Sequence, residues 1–200
     1  MFARTERLLL RPGFPEDAAA VAVAIGDESV VRNLASAPWP YGERDAAEWL
    51  EMEQHPLLPS FLMVKRTSGT PHIIGAVGIH GIDCEDGGSA LEIGYWIARP
   101  YWGLGFATEA GRAVLNIARS HGLPPLYAGH FIDNPASGAV LRKLGFRPTG
   151  QIVPRYCRAR SAHVPCAMFE QGEEDAMSEV DATKRPWDED WRESIRLMAA

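Results

Sequence analysis

At 200 residues the chain is long enough to bury a sizeable core and short enough for one domain with an appendage. Hydrophobic residues make up 46% and charged residues 23%, ordinary values for a globular protein, and no apolar run approaches the roughly 18 residues that a membrane span needs. The net charge of −6 is uneven: nine acids against four bases fall between Gly172 and Ala200, so the body is nearly neutral and lacks the basic footprint of a nucleic-acid binder.

The N-terminus, MFARTERLLLRP, lacks the apolar stretch of a secretory signal. RLLLRP (Arg7–Pro12) reads as a short strand, and PEDAAAVAVAIGD as a helix starting at Pro15 and stopping near Gly26. A second short helical piece is expected over Glu28–Ala35, then a loop, SAPWPYG, with Trp39 between Pro38 and Pro40. ERDAAEWLEMEQ carries the partial apolar stripe of an amphipathic helix. The period then changes to that of strands. FLMVKR (Phe61–Arg66) and HIIGAVGIH (His72–His80) form a hairpin around Ser68-Gly69. GIDCEDGGS is a polar turn, and ALEIGYWIA (Ala90–Ala98) is a third strand. Thr108–His121 is helical and is closed by Gly122 and Pro124. LYAGHFI (Leu126–Ile132) is a strand. NPASGAVLRKLG is a short helix with Asn134 at the N-cap, Pro135 next and Gly145 past its end, and FRPTGQIV and HVPCAMFE pair as final strands. The order implies a mixed α/β (α+β) domain over residues 1–171, with an antiparallel centre and a βαβ-like crossover in its second half.

YWGLGFATEA (Tyr101–Ala110) follows a strand and opens a helix, where backbone N–H groups are unpaired and the helix dipole is positive. Glycines at 103 and 105 let a ligand approach the backbone closely, so the stretch reads as a phosphate or diphosphate site, or else as an ordinary glycine turn. Two nucleotide fingerprints fail on residues. A dinucleotide site needs a third glycine where Thr108 stands and an acid about 20 residues on, and Pro124–Ala128 holds none; Gly-Lys-Ser/Thr is absent altogether.

ALEIGYWIARPYWGLGFATEAGRAVL, followed by HFIDNPASGAVLRKLGF, resembles the GCN5-related N-acetyltransferases (GNAT), and within them the RimJ/RimL-type ribosomal-protein acetyltransferases. TERLLLRP and WPYGERDAAEWL resemble that branch too, so the likeness runs from about Thr5 to Glu170. The family's glycine loop opens on Gln or Arg; here Pro100 stands in that place, beside Arg99. The resemblance implies a mostly antiparallel central sheet, splayed in the middle between Ala90–Ala98 and Leu126–Ile132, with flanking helices. It implies acetyl-CoA as cosubstrate and no metal. The diphosphate would lie on the N–H groups of Gly103, Leu104, Gly105, Phe106, Ala107 and Thr108. The pantetheine arm would add like a strand at Trp96, Ile97 and Ala98.

Acetyl transfer needs a neutral amine held near the thioester, a stabilised oxyanion and a thiolate able to leave. Glu92, a lone charge in an apolar strand, is either a general base or a glutamate paired with an arginine. His80, at the end of the neighbouring strand, is a second base candidate or a solvated turn residue. In RimL-like enzymes a serine in the position of Ser137 protonates the leaving thiolate, and Asn134 would hold the pantetheine arm; both also suit helix capping. Tyr127 is a weaker acid candidate. Lys143 and Arg142 would meet the ribose 3′-phosphate or form a solvated face. Trp39 and Tyr41 border the acceptor site or pack as a lid. Cys157, His163 and Cys166 have no zinc spacing, and the three cysteines, Cys84, Cys157 and Cys166, fit free thiols in a cytoplasmic protein.

After Gln171 the chain turns acidic, then RPWDEDWRESIRLM places Trp187, Trp191 and Ile195 every four residues. Residues 172–200 are therefore expected to be a linker and a short amphipathic helix that docks on the domain or within an oligomer, a homodimer among the options. The functional expectation is an N-acetyltransferase acting on a protein N-terminus or a small-molecule amine by direct attack in a ternary complex. The alternatives are a non-catalytic acyl-CoA sensor or scaffold, and a nucleotide-binding protein of another fold. Neither nucleic acid nor membrane is an expected partner.

Overall fold

The computed structural model describes residues 1–52, 55–66, 69–83 and 89–172. Cys84 and the expected docking helix lie outside the described residues, as does almost all of the unit expected over 172–200. β1 (Ala3–Arg4), β2 (Leu8–Arg11), α1 (Ala18–Ile25), α2 (Glu28–Val31) and α3 (Glu43–Glu51) come first. β3 (Ser60–Lys65), β4 (His72–Asp83) and β5 (Ser89–Ile97) form an antiparallel meander. α4 (Phe106–Ser120) carries the chain over to β6 (Tyr127–Phe131), and α5 (Pro135–Lys143) leads into the hairpin of β7 (Phe146–Cys157) and β8 (Ala162–Gln171).

The eight strands make one open sheet in the order β1-β2-β3-β4-β5-β6-β8-β7. Side chains alternate across it, so each face has its own core. On one face Leu91, Ile93 and Ile97 of β5 pack with Phe106, Ala110, Val114 and Leu115, the buried stripe of α4. On the other, Leu62, Ala76 and Trp96 meet α1 and α3.

β5 and β6 are parallel, and their register consists of a single pair, Glu92↔Tyr127. Past that point β6 pairs only with β8, from Tyr127↔Glu170 to Phe131↔Cys166, and Ile93–Ile97 keeps a ladder only with β4. The sheet is thus parted in its middle, at the expected pair of strands. Ala98 donates to Ile74 of β4, so by alternation Trp96 and Ala98 turn their backbone groups to β4, while Ile93, Tyr95 and Ile97 turn theirs to the opening.

Several boundaries differ from expectation: the helix expected over Glu28–Ala35 stops at Val31, and the one expected from Pro15 opens with a 3-10 turn before Ala18. β4 runs past His80 to Asp83, because Ile82 and Asp83 stay in register with Ala90 and Ser89. His80 therefore does not end its strand; it lies inside the ladder, opposite Glu92. β7 extends beyond Val153 to Cys157 despite Pro154, as a rim strand can, and carries a register shift between Pro148 and Ile152. α4 starts at Phe106, two residues before Thr108, because the left-handed Gly105 serves as its N-cap.

Candidate active site

The mouth of the parted sheet begins where β5 ends. A 3-10 turn at Arg99–Tyr101 holds Pro100, and Arg99 stacks over the Trp102 ring at 4.5 Å. The Trp102 indole donates to the Ile97 carbonyl at 2.6 Å. Gly103 and Gly105 have φ of 73° and 81°, a region where a Cβ is strained, and a Cβ at Gly103 would meet nothing within 4 Å. Among the described residues, Glu109 is the first after Trp102 whose N–H finds a protein acceptor, the Gly105 carbonyl at 3.0 Å. The six N–H groups of Gly103, Leu104, Gly105, Phe106, Ala107 and Thr108 thus stand together without a protein partner at the positive end of α4. Such a cluster of donors suits an anion.

The second wall is the start of α5. Asn134 caps it, its side-chain oxygen accepting the Ser137 N–H at 3.4 Å. The Tyr95 hydroxyl lies 3.1 Å from the Ser137 carbonyl, to which it donates, and 2.9 Å from Ser137 Oγ. This pair bridges β5 to α5 across the opening. Burial pushes the Tyr95 phenol up to about 12, the bond to Ser137 opposing, so it stays protonated. Lys143 is exposed in the last turn of the same helix, while Arg142 turns over the Phe169 ring at 5.5 Å.

On the opposite face of β5, Glu92 is only 4% exposed, and Arg155 of β7 grips both its oxygens at 2.6 and 2.9 Å. The arginine reaches there past Gly129 of β6; a Cβ at Gly129 would stand 3.6 Å from its Nη1 and 2.8 Å from Cys166 Sγ. Glu92 therefore meets the arginine-paired reading, buried rather than at a rim. Beside it the His80 ring lies over Gly94, whose Cβ would come to 3.4 Å from Cε1. By its accessible surface His80 is an exposed residue, yet protein groups crowd around its ring. Burial pulls its pKa below the ordinary histidine value; Glu92 pulls the other way and Arg155 adds to the lowering. The ring is neutral at neutral pH, with a lone pair to offer. Tyr127 stands at the Glu92 register position and is 39% exposed.

Trp96 packs with Tyr41 and with the cluster of Ile25, Val30, Val31 and Ala37, so its side chain belongs to the layer of α1–α3. Burial, with the charge of Asp45, raises the Tyr41 phenol to about 12, whereas Trp39 is 41% exposed. The β7–β8 turn closes this side. Arg158 N–H donates to the Ala35 carbonyl at 2.8 Å, and Arg160 donates to the Arg32 carbonyl at 2.8 Å and to Asp133 at 2.7 Å. Cys157 and Cys166 are free and buried, and no group of three metal-ligating side chains occurs among the described residues.

The structure thus gathers the glycine loop, Asn134 and Ser137 around one opening, with Glu92 and His80 on the far face of β5. Sequence reasoning missed Tyr95, Arg155 and the Asp133 clamp. One signal was present: residues 146–163 carry four arginines and no acid, a bias that needs partners elsewhere.

An open sheet parted between two parallel strands, with a cluster of free N–H groups at its mouth, fits a transferase that takes its group from an acyl-CoA. Residues 7–147 match the family model "Acetyltransferase (GNAT) domain". The chain belongs to this family and is an N-acetyltransferase that uses acetyl-CoA. It is 30% identical over 156 residues to the uncharacterised N-acetyltransferase YoaA of Bacillus subtilis (strain 168), covering 73% of this chain and 82% of that one. Its fold is similar to that of the ribosomal-protein-S5-alanine acetyltransferase of Vibrio fischeri, with TM-score 0.70 and 19% identity over 89% of this chain and 100% of that one. It is also similar to RimL, the ribosomal L7/L12 α-N-protein acetyltransferase, solved in complex with coenzyme A. There the TM-score is 0.69 and the identity 16%, over 86% of this chain and 97% of that one. Among the described residues no helix is long and apolar enough to cross a membrane.

Proposed function

We propose that the acceptor is the α-amine at a protein N-terminus. The observation that carries this is the state of the two base candidates. Both oxygens of Glu92 are held by Arg155, and His80 is a weaker base than an ordinary histidine. An α-ammonium with a pKa of ~7.7–8.0 gives up its proton to such a base far more readily than a lysine at ~10.4. The fold neighbours named for α-amino and ribosomal-protein acetylation support the same reading.

In this reading acetyl-CoA lays its diphosphate on the N–H groups of 103–108. Its arm enters the opening beside Tyr95 and Ile97, whose backbone groups face that way, with Asn134 on the other side. Trp96 and Ala98, whose backbone is committed to β4, line the same strand end. Lys143 serves the 3′-phosphate. The acceptor arrives on the face of Trp39, Tyr41 and His80. The neutral amine attacks the thioester carbonyl, a C–N bond forms and the C–S bond breaks. The amine proton passes to His80, directly or through water, and the thiolate takes a proton from Ser137 Oγ; His80 then releases its proton to solvent and Ser137 regains one from it. Glu92 with Arg155 holds the floor on which His80 rests.

The test is acetylation of paired peptides, one with a free N-terminus and no lysine, the other N-blocked with one lysine. The expected result is transfer to the first alone, with intersecting initial-rate lines as both substrates are varied. Transfer to lysine or to small polyamines only would overturn the acceptor assignment, and parallel lines would overturn direct attack.

A further inference from the structure

The loop that cradles the diphosphate makes no hydrogen bond with its own strand beyond the Trp102 indole; what holds it comes from the other end of the chain. Arg7, at the entry to β2, donates from Nη1 to the Leu104 carbonyl at 2.9 Å and from Nε to Glu109 Oε2 at 2.6 Å. Its guanidinium lies 4.3 Å from the centre of the Phe106 ring. The Arg7 N–H and the Thr5 hydroxyl both donate to Glu109 Oε1, at 2.8 and 2.5 Å.

We propose that Arg7 is a positioning residue of the diphosphate site, acting through Leu104 and Glu109 rather than by touching the ligand. Two physical steps carry the proposal. In a trans peptide the C=O and the next N–H point in opposite directions. An arginine that holds the Leu104 carbonyl toward β2 therefore turns the Gly105 N–H outward, to the side where the phosphate comes. Gly105, with φ of 81°, has no side chain to fix that peptide plane, so the restraint has to come from elsewhere. The second step concerns charge. Glu109 is an acid in the first turn of a helix whose N-terminus faces a polyanion. Burial works against its ionisation, but the hydrogen bonds from Thr5 and Arg7 and the Arg7 charge outweigh it and hold the carboxyl below its usual range. Unpaired, that charge would repel the diphosphate; Arg7 cancels it.

The inference rests on the reading of this loop as the acetyl-CoA diphosphate site. It is tested with two donors, acetyl-CoA and acetyl-pantetheine, which lacks the diphosphate. The readout is the ratio of kcat/KM for the first over the second. R7M is expected to lower that ratio about tenfold, the loss of one charge-assisted hydrogen bond. R7K, which keeps the charge but not the fork, should fall between R7M and wild type and covers the case in which R7M does not fold. The double variant R7M/E109Q should recover part of the ratio, because the unmasked charge is gone. A fall of both donors together, an unchanged ratio, or no recovery in the double variant would overturn the role of Arg7. Calorimetric titration of the wild-type chain with CoA separates the two readings: absence of binding there sinks the site itself and this inference with it.

Discussion

The wall proposed to meet the donor and the wall proposed to meet the acceptor are built by different means. The donor wall is backbone: six adjacent N–H groups, two glycines with positive φ and one strand edge that no other strand pairs past Glu92. The acceptor wall is side chain: Arg155 on Glu92, Arg160 and Arg32 on Asp133, and Tyr41 against Trp96. A donor shared by a whole family can be read by main chain, whose chemistry does not change with sequence. An acceptor that varies must be read by residues that can be exchanged, and these are braced by ion pairs that span the chain.

This contrast can be broken in order of expected effect. Arg155→Met strips the partner from a carboxylate whose side chain is 5% exposed, and should destabilise the fold by about 3–5 kcal/mol in urea unfolding. A loss under about 1 kcal/mol, the range of a surface pair, would show that the acceptor wall does not depend on that pair. Ser137→Ala removes the proposed acid and should lower kcat about 100-fold with little change in KM for acetyl-CoA. A change confined to KM would move Ser137 to binding. Tyr95→Phe keeps the ring and loses the bridge across the opening; a fall of kcat of roughly tenfold is expected, in line with one lost hydrogen bond. A double variant that loses no more than Ser137→Ala alone would show that the two act as one unit.

The pH profile sharpens the other side. A base works when it is unprotonated, and His80 has its pKa lowered, so kcat at saturating substrates should fall only as pH drops below about 6.5, the ordinary histidine value. His80→Gln should remove that limb. A limb that survives the substitution assigns the proton to another group. The smallest effect is expected from Lys143→Ala: about a threefold rise in KM for acetyl-CoA, set by one exposed charge, and none for the donor lacking the 3′-phosphate.

The donor wall was legible in the sequence because its signals are local. Gly103, Gly105 and the helix formers after them lie within one stretch, and Asn134-Pro135 announces a helix start in two residues. The opening in the sheet followed from the family resemblance, not from periodicity, since nothing in ALEIGYWIA shows which half is laddered on both sides. The acceptor wall was hidden because its contacts join residues far apart in sequence: Glu92 with Arg155, and Asp133 with Arg32 and Arg160. Alternation placed Glu92 and Trp96 on one face correctly, but it could not say which cation would arrive there. His80 was misplaced at a strand end because the glycine and acid after it look like a turn, whereas the pairing of Ile82 with Ala90 keeps the ladder going.

The rims of the sheet have a consequence for assembly. One outer strand, β1, has two residues; the other, β7, is interrupted by Pro148, Pro154 and a register shift. Neither offers an unbroken row of donors and acceptors on which a second copy could add its own strand. Among the described residues the rims thus turn contact between two molecules toward helices and loops, and discourage the commonest way in which open sheets stick together.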